Sequence, residues 1–329
     1  MKAFEYAAPA TAELAVKALG GAESAALSGG TDLIGRMKDF VTSPARVVYL
    51  KDIKSLAGIA GDGASGLTIG AGTTLADLLA SKAIKASYPA LWQATLEVGT
   101  PQIKNMATVG GNLLQRPRCW YFRNGFGLLP KKDGKHLVRE GDNRYHAIFM
   151  TEGDALFVNP SSLAVPLVAL GATATILGPK GERTVPVESL YQVPKADGDL
   201  DLKVAPGELL TKVTIPPAKG KNASYEARQK QAHDWPMVLA SVCLGFEGEK
   251  VSEARVVIYG VAPIPYRSAE AERAIVSHSV TPDTAAAAGA AAVATARPLS
   301  KNAYKVGLTR TVVKRALLTA VGDRSWEEG

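Results

Sequence analysis

Cysteine is nearly absent from this 329-residue chain: Cys119 and Cys243 are the only two, and no C-x-x-C spacing occurs. That excludes a disulfide framework and fits a reducing compartment, so the sequence reads as cytoplasmic. No uninterrupted apolar stretch is long enough to span a bilayer. The opening segment Met1-Lys2-Ala3-Phe4-Glu5-Tyr6 carries an acid where a signal peptide needs its apolar run, so export would depend on a partner's signal. The four histidines (His136, His146, His233, His278) are scattered, and no P-loop, H-E-x-x-H or G-x-S-x-G motif is present. A metal site or a hydrolytic triad is therefore not expected, and the chain shows no catalytic residue of its own. Any redox chemistry falls to a bound organic cofactor.

What the chain does have is ordinary globular composition, with 47% hydrophobic and 21% charged residues. At this length it should divide into two or three domains. The net charge of +7 is concentrated: Arg116, Arg118, Arg123, Lys131, Lys132, Lys135, Arg139 and Arg144 face only Asp133, Glu140 and Asp142 in the same stretch. Together with Trp120, Tyr121 and Phe122, these cations raise single-stranded nucleic acid as a ligand. The dispersed Lys and Arg elsewhere, and the lack of any nucleic-acid motif, argue against it.

Two glycine pairs organise the chain. Ser28-Gly29-Gly30-Thr31-Asp32 is echoed 80 residues later by Thr108-Val109-Gly110-Gly111-Asn112. Tandem glycines let successive backbone N–H groups converge on one anion, so each segment is either a phosphate nest or a tight turn. A short strand from Ala25 to Leu27 precedes the first pair, and a helix from Leu33 to Phe40 follows it, which places the glycines at a helix N-terminus. Gly61 to Gly66 formally matches G-x-G-x-x-G, but the strand pattern after it (Leu67 to Gly72) makes it a hairpin turn rather than a dinucleotide fingerprint.

The remaining pattern is α+β. Thr11 caps a helix over Ala12 to Leu19, and Arg46 to Leu50 reads as a strand. Thr74 with Asp77 opens a helix through Ala80, and Pro89 to Val98 forms another. Gly99 to Ala107 reads as irregular, and Arg116 to Asn159 as a long loop. A buried helix follows at Leu163 to Leu170, then strands at Ala172 to Leu177 and Leu209 to Ile215. After Pro216-Pro217 come three strands (Tyr225 to Gln231, Val238 to Phe246, Val251 to Val261), a helix at Ala269 to Ser277, an alanine-rich helix at Asp283 to Ala296, and another at Tyr304 to Ala320.

The two glycine segments, the helix at Leu163 to Leu170, the turn Gly260-Val261-Ala262-Pro263 and the run Pro298-Leu299-Ser300-Lys301-Asn302-Ala303-Tyr304-Lys305 together resemble the FAD-binding medium subunit of the molybdenum hydroxylases. That family includes xanthine dehydrogenase, carbon monoxide dehydrogenase and the aldehyde oxidoreductases. The resemblance implies a two-part FAD-binding α/β domain of the PCMH type, residues 1–57 and 58–217, with a basic insertion at about 116–159. A C-terminal α+β domain, residues 218–329, would carry a three-stranded antiparallel sheet with helices. It further implies that Leu27, Ser28, Gly29, Gly30, Thr31, Asp32 and Leu33 wrap the FAD pyrophosphate and that Thr108, Gly111 and Asn112 complete the site. In that arrangement Gly29, Gly30 and Gly111 donate N–H groups, and the hydroxyls of Ser28, Thr31 and Thr108 bond phosphate oxygens. Ser162 stands where relatives have an Asp on the cofactor, and Leu210 where a Leu lies by the isoalloxazine. The family's lysine falls on Ala227, with Arg228 or Lys230 as substitutes.

Some relatives hold a [4Fe-4S] cluster in a four-cysteine insertion. The insertion here keeps Cys119 alone, so no such cluster is expected. The implied function is an electron-transfer subunit: FAD takes electrons from a [2Fe-2S] small subunit, supplied by a molybdopterin-binding large subunit, and passes them to NAD, oxygen, ferredoxin or a quinone. A stand-alone flavin oxidase would need its own substrate pocket and often a tethering His or Cys, and no His lies near either glycine segment. A cofactor-free basic binding module is the other alternative.

Overall fold

A computed structural model of the chain describes residues 1–21, 23–230 and 232–327. β1 (Glu5–Ala7), α1 (Ala12–Leu19), β2 (Ser24–Leu27), α2 (Leu33–Lys38) and β3 (Arg46–Tyr49) build a parallel sheet in the order β1-β3-β2. α1 begins where Thr11 Oγ1 accepts the Leu14 amide at 3.3 Å. Its buried Ala15, Val16 and Leu19 pack on Val48, Leu50 and Leu209. α2 stops short of Phe40 because that residue takes left-handed backbone, with φ 55°. Since β2 runs straight into the turn before α2, the first glycine pair lies just beyond the strand's carboxyl end, where open α/β sheets leave a crevice.

β4 (Ile59–Asp62) and β5 (Gly66–Gly70) form the hairpin expected of the false fingerprint, with φ of 94° at Gly61 and 93° at Gly66. The Thr74–Asp77 capping box then opens α3 (Leu75–Ala80), followed by α4 (Lys82–Ser87) and α5 (Pro89–Leu96). The segment read as irregular between Gly99 and Ala107 contains a helix, α6 (Pro101–Met106). Thr100 Oγ1 accepts the Ile103 amide at 3.2 Å and Pro101 occupies the first helical position, a local start signal that the neighbouring glycine obscured. α7 (Val109–Leu113) carries the second glycine pair.

The basic insertion is also structured, with α8 (Trp120–Arg123), a hairpin of β6 (Lys131–Lys132) and β7 (Lys135–His136), and α9 (Leu137–Glu140). Wholly buried α10 (Ala164–Ala169) leads into β8 (Thr173–Gly178), β9 (Gly181–Pro186) and β10 (Leu209–Ile215). These complete an antiparallel sheet in the order β4-β5-β10-β8-β9. The β10–β8 ladder skips Thr211, a bulge beside Leu210 that bends the strand.

The last sheet is the expected antiparallel meander, β11 (Lys221–Ala227), β12 (Val238–Glu247) and β13 (Lys250–Tyr259), with a two-residue edge strand, β14 (Tyr266–Arg267). β11 begins and ends earlier than its predicted span, whose last residue, Gln231, lies outside the described residues. α11 (Ala269–Ile275), α12 (Pro282–Ala291) and α13 (Tyr304–Val321) cover the sheet. The alanine-rich α12 packs so closely on α13 that a methyl at Gly289 would overlap the Arg310 carbonyl oxygen.

The Pro298 to Lys305 run clamps the basic insertion to this layer. Asn302 Nδ2 donates to the carbonyls of His146 and Ala147 at 3.1 and 3.0 Å. Lys305, 1% exposed, gives its three N–H bonds to the carbonyls of Tyr145, His146 and Gly260 at 2.9, 3.0 and 2.7 Å. Among the described residues no helix is long and apolar enough to cross a membrane.

Candidate functional site

The two glycine segments meet. Ser28 Oγ lies 2.9 Å from Thr108 Oγ1, joining the end of β2 to the start of α7 across 80 residues. Gly29 makes this approach possible: a Cβ there would sit 2.6 Å from the Met106 carbonyl carbon and 3.0 Å from Ala107 Cα, which are backbone atoms with no room to yield. Gly30 takes φ 73°, the left-handed conformation that turns the chain from β2 into α2.

Hydrogen-bond accounting separates the two segments. Among the described residues the amides of Gly29, Gly30 and Thr31 have no intramolecular acceptor, so the first turn presents consecutive free N–H donors. The second segment has spent its own. Val109 N–H donates to Thr73 O at 2.9 Å, Gly110 to Ala71 O at 2.8 Å, Asn112 to Thr108 O at 2.8 Å, and Gly111 to Thr108 Oγ1 at 3.2 Å. Gly111 therefore lines the site without a free amide, which corrects its expected role as a donor. The Ser28–Thr108 pair has two hydroxyl protons and uses one between its members, so one remains for a ligand.

Two cavities adjoin at this seam. One, of about 140 Å³, is walled by Ser28, Gly30, Leu33, Leu50 and Leu210. The other, of about 260 Å³, is walled by Gly99, Ile103, Asn112, Ser162 and Trp235. Thr31, Gly111 and Gln115 belong to both. Thr31 presents its free N–H at this shared waist, and Gly29 and Gly30 present theirs to the first cavity beside it.

The basic insertion supplies the charge beside that waist. Asp32 does not cap α2 with its side chain; it gathers arginines. Arg36 Nε lies 3.0 Å from Oδ2, while guanidinium nitrogens of Arg118 and Arg123 approach Oδ1 at 3.2 and 2.7 Å. The Arg116 amide donates to Oδ2 at 3.2 Å, and its guanidinium pairs with Asp201 at 2.8 Å. Burial pushes the Asp32 carboxyl up, but Arg118, Arg36 and Arg123 outweigh it and hold the group below the usual carboxylate range. Four guanidiniums thus face two carboxylates, an excess of two positive charges that favours a dianion nearby.

Of the sequence-predicted residues, Ser28, Gly29, Gly30, Thr31, Asp32, Leu33, Thr108, Gly111 and Leu210 border the first cavity, and Asn112 and Ser162 the second. Leu27 packs beneath the turn with Leu33 and Met37. Asn112 is also a strut, its Oδ1 accepting from Ser161 Oγ at 2.8 Å and from the Leu163 amide at 3.2 Å. Lys230 is exposed and lies on neither cavity wall. Arg36, Gln115, Arg118 and Trp235 do line the space and were missed; Arg118 sits 4.8 Å from the Trp235 ring centroid. The charge density of the insertion was the available signal for Arg118. His233, far from the glycines in sequence, also reaches the second cavity, its Nδ1 3.3 Å from the Gly99 carbonyl oxygen.

Arg228, the other substitute for the lysine, is engaged elsewhere, between Glu97 and Glu226. Burial raises the Glu226 carboxyl to about 7, with Arg228 opposing and Glu97 adding to the rise. A carboxyl raised in the fold contributes stability below its ordinary range and loses it as pH rises through about 7. Glu226→Gln should therefore gain melting temperature relative to the parent between pH 5 and pH 8, read by thermal denaturation across that range; an unchanged difference would rule out a buried, titrating Glu226.

Comparison with known proteins adds a sequence relationship to this geometry. The family model described as the FAD binding domain in molybdopterin dehydrogenase matches residues 2–218. That of the CO dehydrogenase flavoprotein C-terminal domain matches residues 223–320. The aldehyde oxidoreductase FAD-binding subunit PaoB of Escherichia coli (strain K12) is 30% identical, over 97% of this chain and 99% of that protein. The carbon monoxide dehydrogenase medium chain of Afipia carboxidovorans is 28% identical, over 95% of each. Among solved structures, the carbon monoxide dehydrogenase of Hydrogenophaga pseudoflava lacking the Mo-pyranopterin moiety superposes with a TM-score of 0.76 at 26% identity, covering 97% of this chain and 98% of that one.

Proposed function

The chain belongs to the FAD-binding subunits of the molybdopterin dehydrogenases, a family of oxidoreductases, and from that premise we propose that it is the electron-transfer subunit of a three-part complex. It would pass electrons from a [2Fe-2S] partner, fed by a molybdenum-bearing large subunit, through FAD to an external acceptor. When bound, FAD supplies the exchange of one or two electrons.

The observation that carries this reading is the run of free amides at Gly29, Gly30 and Thr31, beside an arginine cluster with two uncompensated charges. A pyrophosphate brings acceptor oxygens and two negative charges, and so answers both. The two cavities that open from the waist suit its two arms. The larger, bordered by Trp235 and Ile103, suits the tricyclic ring, and the smaller suits the adenosine. This order puts Leu210 at the adenosine end rather than beside the isoalloxazine. Two unpaired cysteines accord with a cytoplasmic setting.

The test is the visible spectrum of the purified chain, followed by acid precipitation and chromatography of what is released. FAD should appear in the supernatant at one per chain. A colourless protein that takes up no added FAD would refute the flavoprotein reading, and FAD that stays with the precipitate would point to a covalently tethered flavin. Co-expression with the iron–sulfur and molybdenum subunits should return a stable complex, and failure to assemble would remove the electron-transfer role.

A further inference from the structure

A third cavity, of about 250 Å³, opens on the far side of the Arg118–Trp235 stack. Arg118, Asp234, Trp235 and Pro236 wall both it and the second cavity, so the two are separated by one layer of side chains. Its remaining lining is largely aromatic and apolar: Trp120, Tyr145, Tyr259, Val158, Pro160 and Met237. Trp120 stands edge-on to Tyr145 and His146, with ring centroids 5.5 and 5.9 Å apart. Tyr145 is held in place by its hydroxyl, which donates to Gln229 Oε1 at 3.0 Å.

We propose that this cavity binds a small, uncharged quinone, the acceptor to which the chain delivers electrons. The proposal rests on the flavin reading above, with the isoalloxazine in the second cavity. Size favours one or two fused rings, since drug-sized ligands fill about 300–1,000 Å³. The two cations of this lining are already engaged, Arg118 with Asp32 and Lys305 with three backbone carbonyls, which disfavours a dinucleotide, whose phosphates need free cationic donors.

The polar atoms point to a ligand that accepts hydrogen bonds. Arg118 Nε and His146 Nδ1, on two side chains of this lining, are buried with no partner among the described residues. Burial lowers His146 to about 4, so its imidazole is neutral at neutral pH. Its Nε2 lies 3.1 Å from Cys119 Sγ. Burial also holds the thiol up, so the S–H donates to Nε2 and the ring proton stands on Nδ1. Lys305 has no N–H to spare, all three being bonded to carbonyls. A quinone offers two carbonyl oxygens and no donor. In turnover it would gain two electrons and two protons and leave as the quinol, while FADH2 returns to FAD by giving up the same two electrons and two protons.

The experiment uses the FAD-loaded full chain and 1,4-naphthoquinone, with binding read by quenching of tryptophan fluorescence. Reoxidation of the dithionite-reduced protein is followed in parallel with naphthoquinone and with ferricyanide, which needs no cavity. Val158→Phe, which fills the space, and Trp120→Ala, which removes an aromatic wall, should each weaken naphthoquinone binding about tenfold, the loss of one aromatic contact. Both should slow reoxidation by naphthoquinone and leave that by ferricyanide unchanged. Equal binding and equal rates in parent and both variants would overturn the site. A chain that takes up FAD but does not bind naphthoquinone overturns the acceptor site alone, whereas one that binds naphthoquinone but takes up no FAD overturns the acceptor role together with the flavoprotein reading.

Discussion

Gly29→Ala should yield a chain purified without FAD. The new methyl would overlap the Met106 carbonyl oxygen and come within 2.6 Å of its carbon, so the first turn and the α6–α7 junction must move apart. That separation breaks the Ser28–Thr108 contact and opens the waist where the free amides converge. Gly30→Ala should be milder. Its Cβ would meet the flexible ends of Ile34, at 2.7 Å, and Leu27, at 3.4 Å, and the main cost is a left-handed backbone, about 1–2 kcal/mol for a residue with a side chain. Gly35→Ala serves as the control, because nothing lies within 4 Å of its Cβ and alanine favours the helix. The measurement is the ratio of flavin to protein absorbance in the three purified variants. Stoichiometric FAD in Gly29→Ala would contradict the assignment of this turn to the pyrophosphate.

Asp32→Asn should be the most destabilising single change in the ionic cluster that ties the first glycine turn to the insertion. The side chain is only 11% exposed and faces the guanidiniums of Arg36, Arg118 and Arg123, so neutralising it leaves three cations with no shared counter-charge. Removing one member of a buried ionic network costs roughly 3–5 kcal/mol. A bound pyrophosphate brings negative charge to the same region, so the loss should be larger in the FAD-free protein than in the loaded one, as read by urea unfolding of both. The pH sign follows from the lowered carboxyl. Its contribution is complete above the ordinary carboxylate range, near about 4, and disappears as pH falls through the lowered value. The gap between parent and variant should therefore persist at neutral pH and close only in strong acid. A gap that closes near neutrality would mean that Asp32 is not the anchor.

These two residues also mark what the sequence disclosed. The β2–turn–α2 unit was legible because its signals are local: a short apolar strand, two glycines and a helix start follow one another directly. The hairpin at Gly61 to Gly66 and the capping box at Thr74 were legible for the same reason. The role of Asp32 was not, because its partners Arg116 and Arg123 lie 84 and 91 residues away and nothing in the local pattern names them. The spent amides of Val109 and Gly110 were hidden likewise, since their acceptors, Thr73 and Ala71, lie just past a different hairpin. Lys230 was sought by position along a strand, whereas the cations that reach the site, Arg36 and Arg118, come from α2 and the insertion. Long-range pairing, rather than weak propensity, accounts for each of these.

The clamp from Asn302 and Lys305 sets an order on biosynthesis. The insertion that presents Arg118 and Arg123 beside the glycine turns is pinned through residues 145–147 to the start of α13, a helix made some 160 residues later. A nascent chain with both glycine segments already folded still lacks that brace. The cofactor wall is therefore complete only once α13 has been made, and a chain truncated before α13 should emerge with its first two sheets formed and its cofactor wall unbraced.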